Sequence, residues 1–195
     1  MKQFQLPTPP SAIRYQTLAK GEALFLQGDS TFAIFAVRRG RVRLVRHLLD
    51  GTTVPLHIAH AGDTFSEAAL FSPVYHCDAI ADMPSEVEIH PKPPLLQALD
   101  DDTEAARLFM ALMARQVIAL RSRLELRNIR SAIERVTQFI RLEVNEPDRQ
   151  VTFIRPLKNI AGDIGLTHES FYRTLAELEA SGTITRRKRT ITLLK

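Results

Sequence analysis

Glycine placement sets the first limit on what this chain can fold into. Its eight glycines fall in two clusters, five between Gly21 and Gly62 and three between Gly162 and Gly182. Within the first, Gly40, Gly51 and Gly62 recur every 11 residues, and the short runs between them alternate in polarity: Val42, Leu44, Val45, then Val54, Leu56, Ile58. Turn residues at this spacing, flanking short apolar-alternating runs, predict an antiparallel all-β unit and not strands alternating with helices. Ala23–Leu26 and Phe32–Val37 extend the pattern upstream, and Ala79–Ala81 and Val87–Ile89 close it, with Pro73 and Pro84 in loops. Residues 20–90 read as a jelly-roll-like β-roll within an N-terminal domain spanning 1–100.

The character of the chain then changes. Pro91-Lys92-Pro93-Pro94 predicts a break, because proline inside a helix removes a donor and clashes with the preceding turn. After Asp100-Asp101-Asp102, whose carboxylates suit a helix N-terminus, no glycine or proline occurs until about residue 146. Ala106, Met110, Met113, Val117, Leu120 and Leu124 are spaced 4, 3, 4, 3 and 4 apart, an a/d seam. Leu108 and Leu112 form a second stripe. Two stripes need two partners. The second is expected to pack on the roll, and the seam (Met110, Met113, Val117, Leu120, Leu124) on another copy of the chain. The helix is placed at 101–130 and a further domain at 131–195, giving an α+β architecture.

That last domain carries the most specific local signal, Leu157 to Arg173. A short helix over about 157–164 ends at Gly165, which accepts the positive φ of a tight turn. Thr167 then caps a second helix, its side-chain oxygen accepting a first-turn amide. Phe171, Leu175 and Leu178 recur at i, i+4 and i+7 and face inward, leaving His168, Glu169, Ser170, Arg173 and Thr174 outward. This is a helix-turn-helix with its second helix placed to enter a major groove. Arg173 can donate twice to guanine and Glu169 can accept from a cytosine amino group; the two could equally pair with each other at i, i+4. Thr183–Thr185 and Thr190–Leu193 flank Arg186-Arg187-Lys188-Arg189 as a hairpin with four cations at its tip, suited to phosphates, as is Lys158.

Charge supports that division. The formal charge of +4 belongs entirely to residues 128–195, with 12 Lys+Arg against 8 Asp+Glu, while residues 1–127 hold 14 of each. A neutral body with a basic end module is the footprint expected of a nucleic-acid binder, and the helix-turn-helix makes the expected partner double-stranded DNA. Apolar residues at 45% and charged residues at 25% describe an ordinary globular chain, and no apolar stretch approaches membrane-span length. The single Cys77 excludes an internal disulfide and a four-cysteine iron–sulfur cluster. No secretory signal is read at the N-terminus, so a reducing cytoplasmic setting is expected.

The order of β-roll, long helix and winged helix-turn-helix resembles the Crp/Fnr family of bacterial transcription regulators, over about Gly21 to Leu194. The most specific stretch is Ile160 to Arg173, similar to the family's reading helix, with Glu169 and Arg173 at the base-contacting positions and His168 where arginine is common. Gly62 to Leu70 resembles the family's phosphate-binding cassette. The resemblance implies a homodimer on a pseudo-palindromic operator, acting with RNA polymerase in response to an effector. Against the cyclic-nucleotide-binding members, Ser66 replaces the cassette glycine and Cys77-Asp78 replaces the Arg-Ser pair that holds the phosphate. Leu120-Arg121 replaces the Thr-Ser pair that meets adenine, and only Glu67 is retained. Loss of the counter-charge argues against cAMP. His76 and Cys77, with Tyr75, offer an alternative haem- or redox-responsive site, although adjacent strand residues point to opposite faces. The sequence does not name the effector.

An enzyme is not expected. His57, His60 and Glu67 on a β-roll invite comparison with cupin metalloenzymes, but His57 and His60 are three apart, which on a strand places them on opposite faces. No phosphate loop, nucleophile elbow or HExxH occurs, and no metal site is assigned.

Overall fold

Between Arg14 and Pro91 the alternating pattern becomes eight strands: β1 (Arg14–Leu18), β2 (Ala23–Phe25), β3 (Ala33–Arg39), β4 (Arg41–His47), β5 (Thr53–His60), β6 (Thr64–Phe65), β7 (Asp78–Ala81) and β8 (Ser85–Pro91). The computed structural model describes residues 5–153 and 157–194, apart from the side chains of Lys158, Asn159 and Asp163. The strands form two antiparallel sheets, ordered β1-β8-β3-β6 and β2-β7-β4-β5. Period-2 alternation sends Phe35 and Val37 of β3, Val42 and Leu44 of β4, and Ala79 and Ala81 of β7 into a buried interior. Aromatic rings fill its centre. Phe25 stacks on Tyr75 at 3.8 Å between centroids, and Phe35 stacks on Phe65 at 5.2 Å.

Gly40 joins β3 to β4 at φ +91°, and a Cβ there would lie 2.6 Å from the Pro84 carbonyl oxygen. Conformation and space both require glycine at this turn. Three elements of this N-terminal part had no clear signal in the sequence. β1 is mostly polar and exposed, and β6 has only two residues. The third is a helix, α1 (Lys92–Asp101), which corrects the expected break at Pro91–Pro94. Its prolines occupy the first turn, where the missing N–H would have no intrahelical partner anyway. Asp100 and Asp101 consequently end α1, and Asp102 alone serves the next helix, α2 (Thr103–Asn128): its Oδ1 accepts from Glu104 N at 2.9 Å and Ala105 N at 3.1 Å.

The chain divides into two compact units, residues 1–112 and 113–195, with the division inside α2. In the first unit the stripe that α2 buries is Ala105 and Phe109, not the expected Leu108, which is exposed. The glycine- and proline-free stretch is also interrupted. Ser131 caps α3 (Ala132–Glu143) by accepting from Glu134 N at 3.3 Å, so α2 stops at Asn128. The second unit continues with β9 (Gln150–Thr152), α4 (Leu157–Asp163), α5 (His168–Ala180), β10 (Ile184–Arg187) and β11 (Thr190–Leu193). Its core gathers Leu126, Val136, Phe139, Ile140, Ile160, Phe171, Leu175, Ile184 and Ile191. The hairpin β10–β11 gains β9 as a third strand, which the sequence pattern did not reveal.

Candidate nucleic-acid interface and effector region

The second helix of the motif is built as its sequence dictates. Thr167 sits at the N-cap of α5 with extended backbone, and its Oγ1 accepts from Ser170 N at 3.2 Å. Phe171, Leu175 and Leu178 are buried at i, i+4 and i+7. His168, Glu169 and Arg173 are exposed, and Ser170 is half-buried. Thr174 corrects the expectation of an outward residue: it is buried, and its Oγ1 donates to the Ser170 carbonyl at 2.8 Å. Tyr172 is exposed beside Arg173, a phenol that the sequence reading left without a role. The turn before α5 holds Gly165 at φ +70°. Lys158 lies in α4, but its side chain is outside the described residues.

Arg135 is a second residue the sequence did not single out. From α3 its Nε donates to the Ile129 carbonyl at 2.9 Å, and its Nη1 donates to the carbonyls of Gly165 at 3.0 Å and Ile164 at 3.3 Å. Its Nη2 also donates to Ile129. One guanidinium thus satisfies orphan acceptors after both α2 and α4. Its partners lie up to 30 residues away, so no local pattern could show this.

The wing has β10 and β11 paired from Ile184↔Leu193 to Arg187↔Thr190, leaving Lys188 and Arg189 as the two-residue tip. Lys188 takes φ +54°, the left-handed conformation such a turn demands. Arg187, Lys188 and Arg189 are exposed. Arg186 corrects the expected four-cation tip: its Nη2 lies 3.1 Å from Glu179 Oε2 on α5.

In the first unit, Ser66 adopts φ 63° and ψ 30°, so the backbone bend of a glycine persists at a residue that enters it with strain. Glu67 is buried at the start of a 3-10 turn and accepts from Thr64 Oγ1. Asp78 is buried, its Oδ1 accepting from Gln27 N at 2.7 Å and its Oδ2 lying 3.0 Å from His47 Nε2. The carboxylate is therefore engaged within the roll. Cys77 is half-buried, and burial pushes its thiol pKa up against the opposing charge of Arg46. Arg46 brings a guanidinium from β4 to this corner, donating to the His76 carbonyl at 3.0 and 3.1 Å. Leu120 and Arg121 belong to the second unit, both exposed on α2.

Tyr75 is part of the core, its hydroxyl donating to Ala33 O at 2.8 Å. His76 is exposed with Nε2 3.1 Å from Ser72 Oγ. His57 pairs with Leu44 and His60 with Arg41 across the β4–β5 ladder, an odd offset that separates their faces. Among the described residues no group of three or more His, Cys, Asp or Glu side chains could hold a metal ion.

In chain order, a double-sheeted roll carrying a glutamate-bearing cassette is followed by a winged helix-turn-helix. Residues 15–102 match the family model of the cyclic nucleotide-binding domain. Over 179 residues, 90% of each chain, the protein is 28% identical to the transcriptional regulator LdrP of Thermus thermophilus. Its fold resembles that of FixK2 from Bradyrhizobium japonicum, with a TM-score of 0.65 at 22% identity, covering 94% of this chain and 93% of that one. It also resembles a transcriptional regulator of the CRP family from Thermus thermophilus, TTHB099, with a TM-score of 0.55 at 24% identity, covering 92% of each. Over nearly its whole length the chain is thus similar to transcription regulators, and its first part matches the cyclic nucleotide-binding domain.

Proposed function

We propose that the chain works in the cytoplasm as a homodimer that reads a pseudo-palindromic operator and adjusts transcription by RNA polymerase there. One observation carries the reading of sequence: α5 buries Phe171, Leu175 and Leu178 while leaving His168, Glu169 and Arg173 exposed within its first two turns. A helix anchored on one side with donors and acceptors at its free N-terminal end is what major-groove recognition requires. Thr167 and Ser170 set that end, and Arg187, Lys188, Arg189 and Lys158 would meet phosphates and fix position.

The dimer is supported by α2, where Met110, Val117, Leu120 and Leu124 are exposed along one seam, with Met113 half-buried between them. Two such helices related by a two-fold axis place two α5 helices on successive half-sites. The effector is a ligand other than cAMP, held around Ser66, Glu67 and Cys77, with Asp78 beside them. An uncharged thiol at Cys77 lacks the counter-charge a cyclic phosphate needs.

Selection from a random pool of DNA duplexes by the purified chain tests this. Enrichment of one site with two-fold symmetry is expected, and recovery of unenriched duplexes would overturn it.

A further inference from the structure

Strand parity splits the wing's cations. On β10, Ile184 enters the core, Thr185 and Arg187 face solvent, and Arg186 turns back toward α5. Its partner there, Glu179, is the penultimate residue of α5. The carbonyls left unpaired at a helix C-terminus carry partial negative charge, so a carboxylate at this position is disfavoured by its own helix. Arg186 supplies the compensating cation from the neighbouring strand, at 3.1 Å, with the two side chains 27% and 31% exposed. The intervening turn is itself pinned, Gly182 N donating to Glu179 O at 3.0 Å and Thr183 N to Leu178 O at 2.9 Å. The pair therefore spans a junction whose backbone is itself hydrogen-bonded.

We propose that Glu179 and Arg186 form a clasp that orients the wing against α5 and keeps Arg186 off the DNA backbone, making Glu179 a positioning residue for sequence discrimination. This rests on the DNA-reading function proposed above. With the clasp closed, the tip cations stand at a set distance from the bases that α5 reads. With it open, the wing loses that register and Arg186 becomes one more cation for any phosphate, which strengthens binding without regard to sequence.

The test uses the full-length chain, the duplex that the wild type selects, and a scrambled duplex of equal length. In Glu179→Gln, the slope of log K against log salt on the scrambled duplex should steepen by about 0.9, one added phosphate contact. The ratio of selected to scrambled affinity should fall about 2–5-fold, the range for a partly exposed ion pair. Arg186→Met should lower the ratio similarly while leaving the scrambled slope unchanged. The double exchange Glu179→Arg with Arg186→Glu should restore both. A Glu179→Gln protein with the wild-type slope and ratio overturns the clasp. So does a scrambled slope flattened by about one unit in Arg186→Met, since Arg186 would then already lie on phosphate. A wild-type chain that selects no duplex contradicts the function itself, and with it the clasp.

Discussion

His90 shows how a single buried group couples stability to pH. It is 3% exposed on β8, its Nδ1 3.0 Å from Thr8 Oγ1 and its Nε2 3.4 Å from Glu88 Oε2. Burial pushes its pKa below 6.5, and Glu88 opposes only part of that shift. The neutral imidazole is the native form, so the unfolded chain binds the proton more readily. Its contribution is complete above pH 6.5 and is lost as pH falls from there through the lowered native value. Denaturant midpoints across roughly pH 5–7.5 should show this acid-side loss in the wild type and a flatter profile in His90→Gln. Equal slopes in the two would exclude His90 as its source.

Arg135 makes the other residue-scale prediction. Replacing it with methionine keeps the length of the stem but strands the carbonyls of Ile129, Ile164 and Gly165. Hydrogen bonds to a charged group suggest a loss of about 1.5–3 kcal/mol, read as a lower urea midpoint. An unchanged midpoint would show that water replaces the guanidinium without penalty.

At the scale of elements, what could be read in the sequence was whatever repeats locally. The α5 face followed from Phe171, Leu175 and Leu178, and its start from Thr167, because cap and period both act within two turns. Strands β2 to β5, β7 and β8 of the roll followed from glycine turns and alternation. Pro93 and Pro94 misled because position within a helix, not presence, decides their effect, and only the structure places them in the first turn of α1. Arg186 misled because charge alone does not show which face of a hairpin a side chain takes. Thr174 lies on the border of the apolar stripe, where a short hydroxyl can bond to its own helix and be buried. At the effector corner, the substitution at Cys77 was legible. The Arg46 guanidinium beside it was not, because β4 and β7 are brought together by long-range pairing.

The exposed seam of α2 is the element with a prediction of its own. Each leucine that a second copy covers contributes about 1.5–3 kcal/mol. Leu120→Glu with Leu124→Glu would place carboxylates on that seam while retaining helix propensity. Light scattering should give a dimer for the wild type and a monomer for the double variant, with the helical circular dichroism retained. A wild-type monomer at micromolar concentration would refute this use of the seam.

For the whole molecule, the division of labour follows the charge. The first unit, with 10 Lys+Arg against 13 Asp+Glu, carries the cassette, and the basic second unit, with 16 against 9, carries α5 and the wing. Under the proposed function, sensing and reading are separable chemistries on one chain, each supported by its own core. The central claim is that the free N-terminal face of α5 reads bases, and Arg173 tests it most directly. Duplex selection should be run in parallel with the wild type and with Arg173→Ala. Base reading predicts the same symmetric site in both, with the preference relaxed by about 1–3 kcal/mol at one base pair per half-site in the variant. An identical preference at every position, or a uniform loss of affinity on all duplexes, would contradict it.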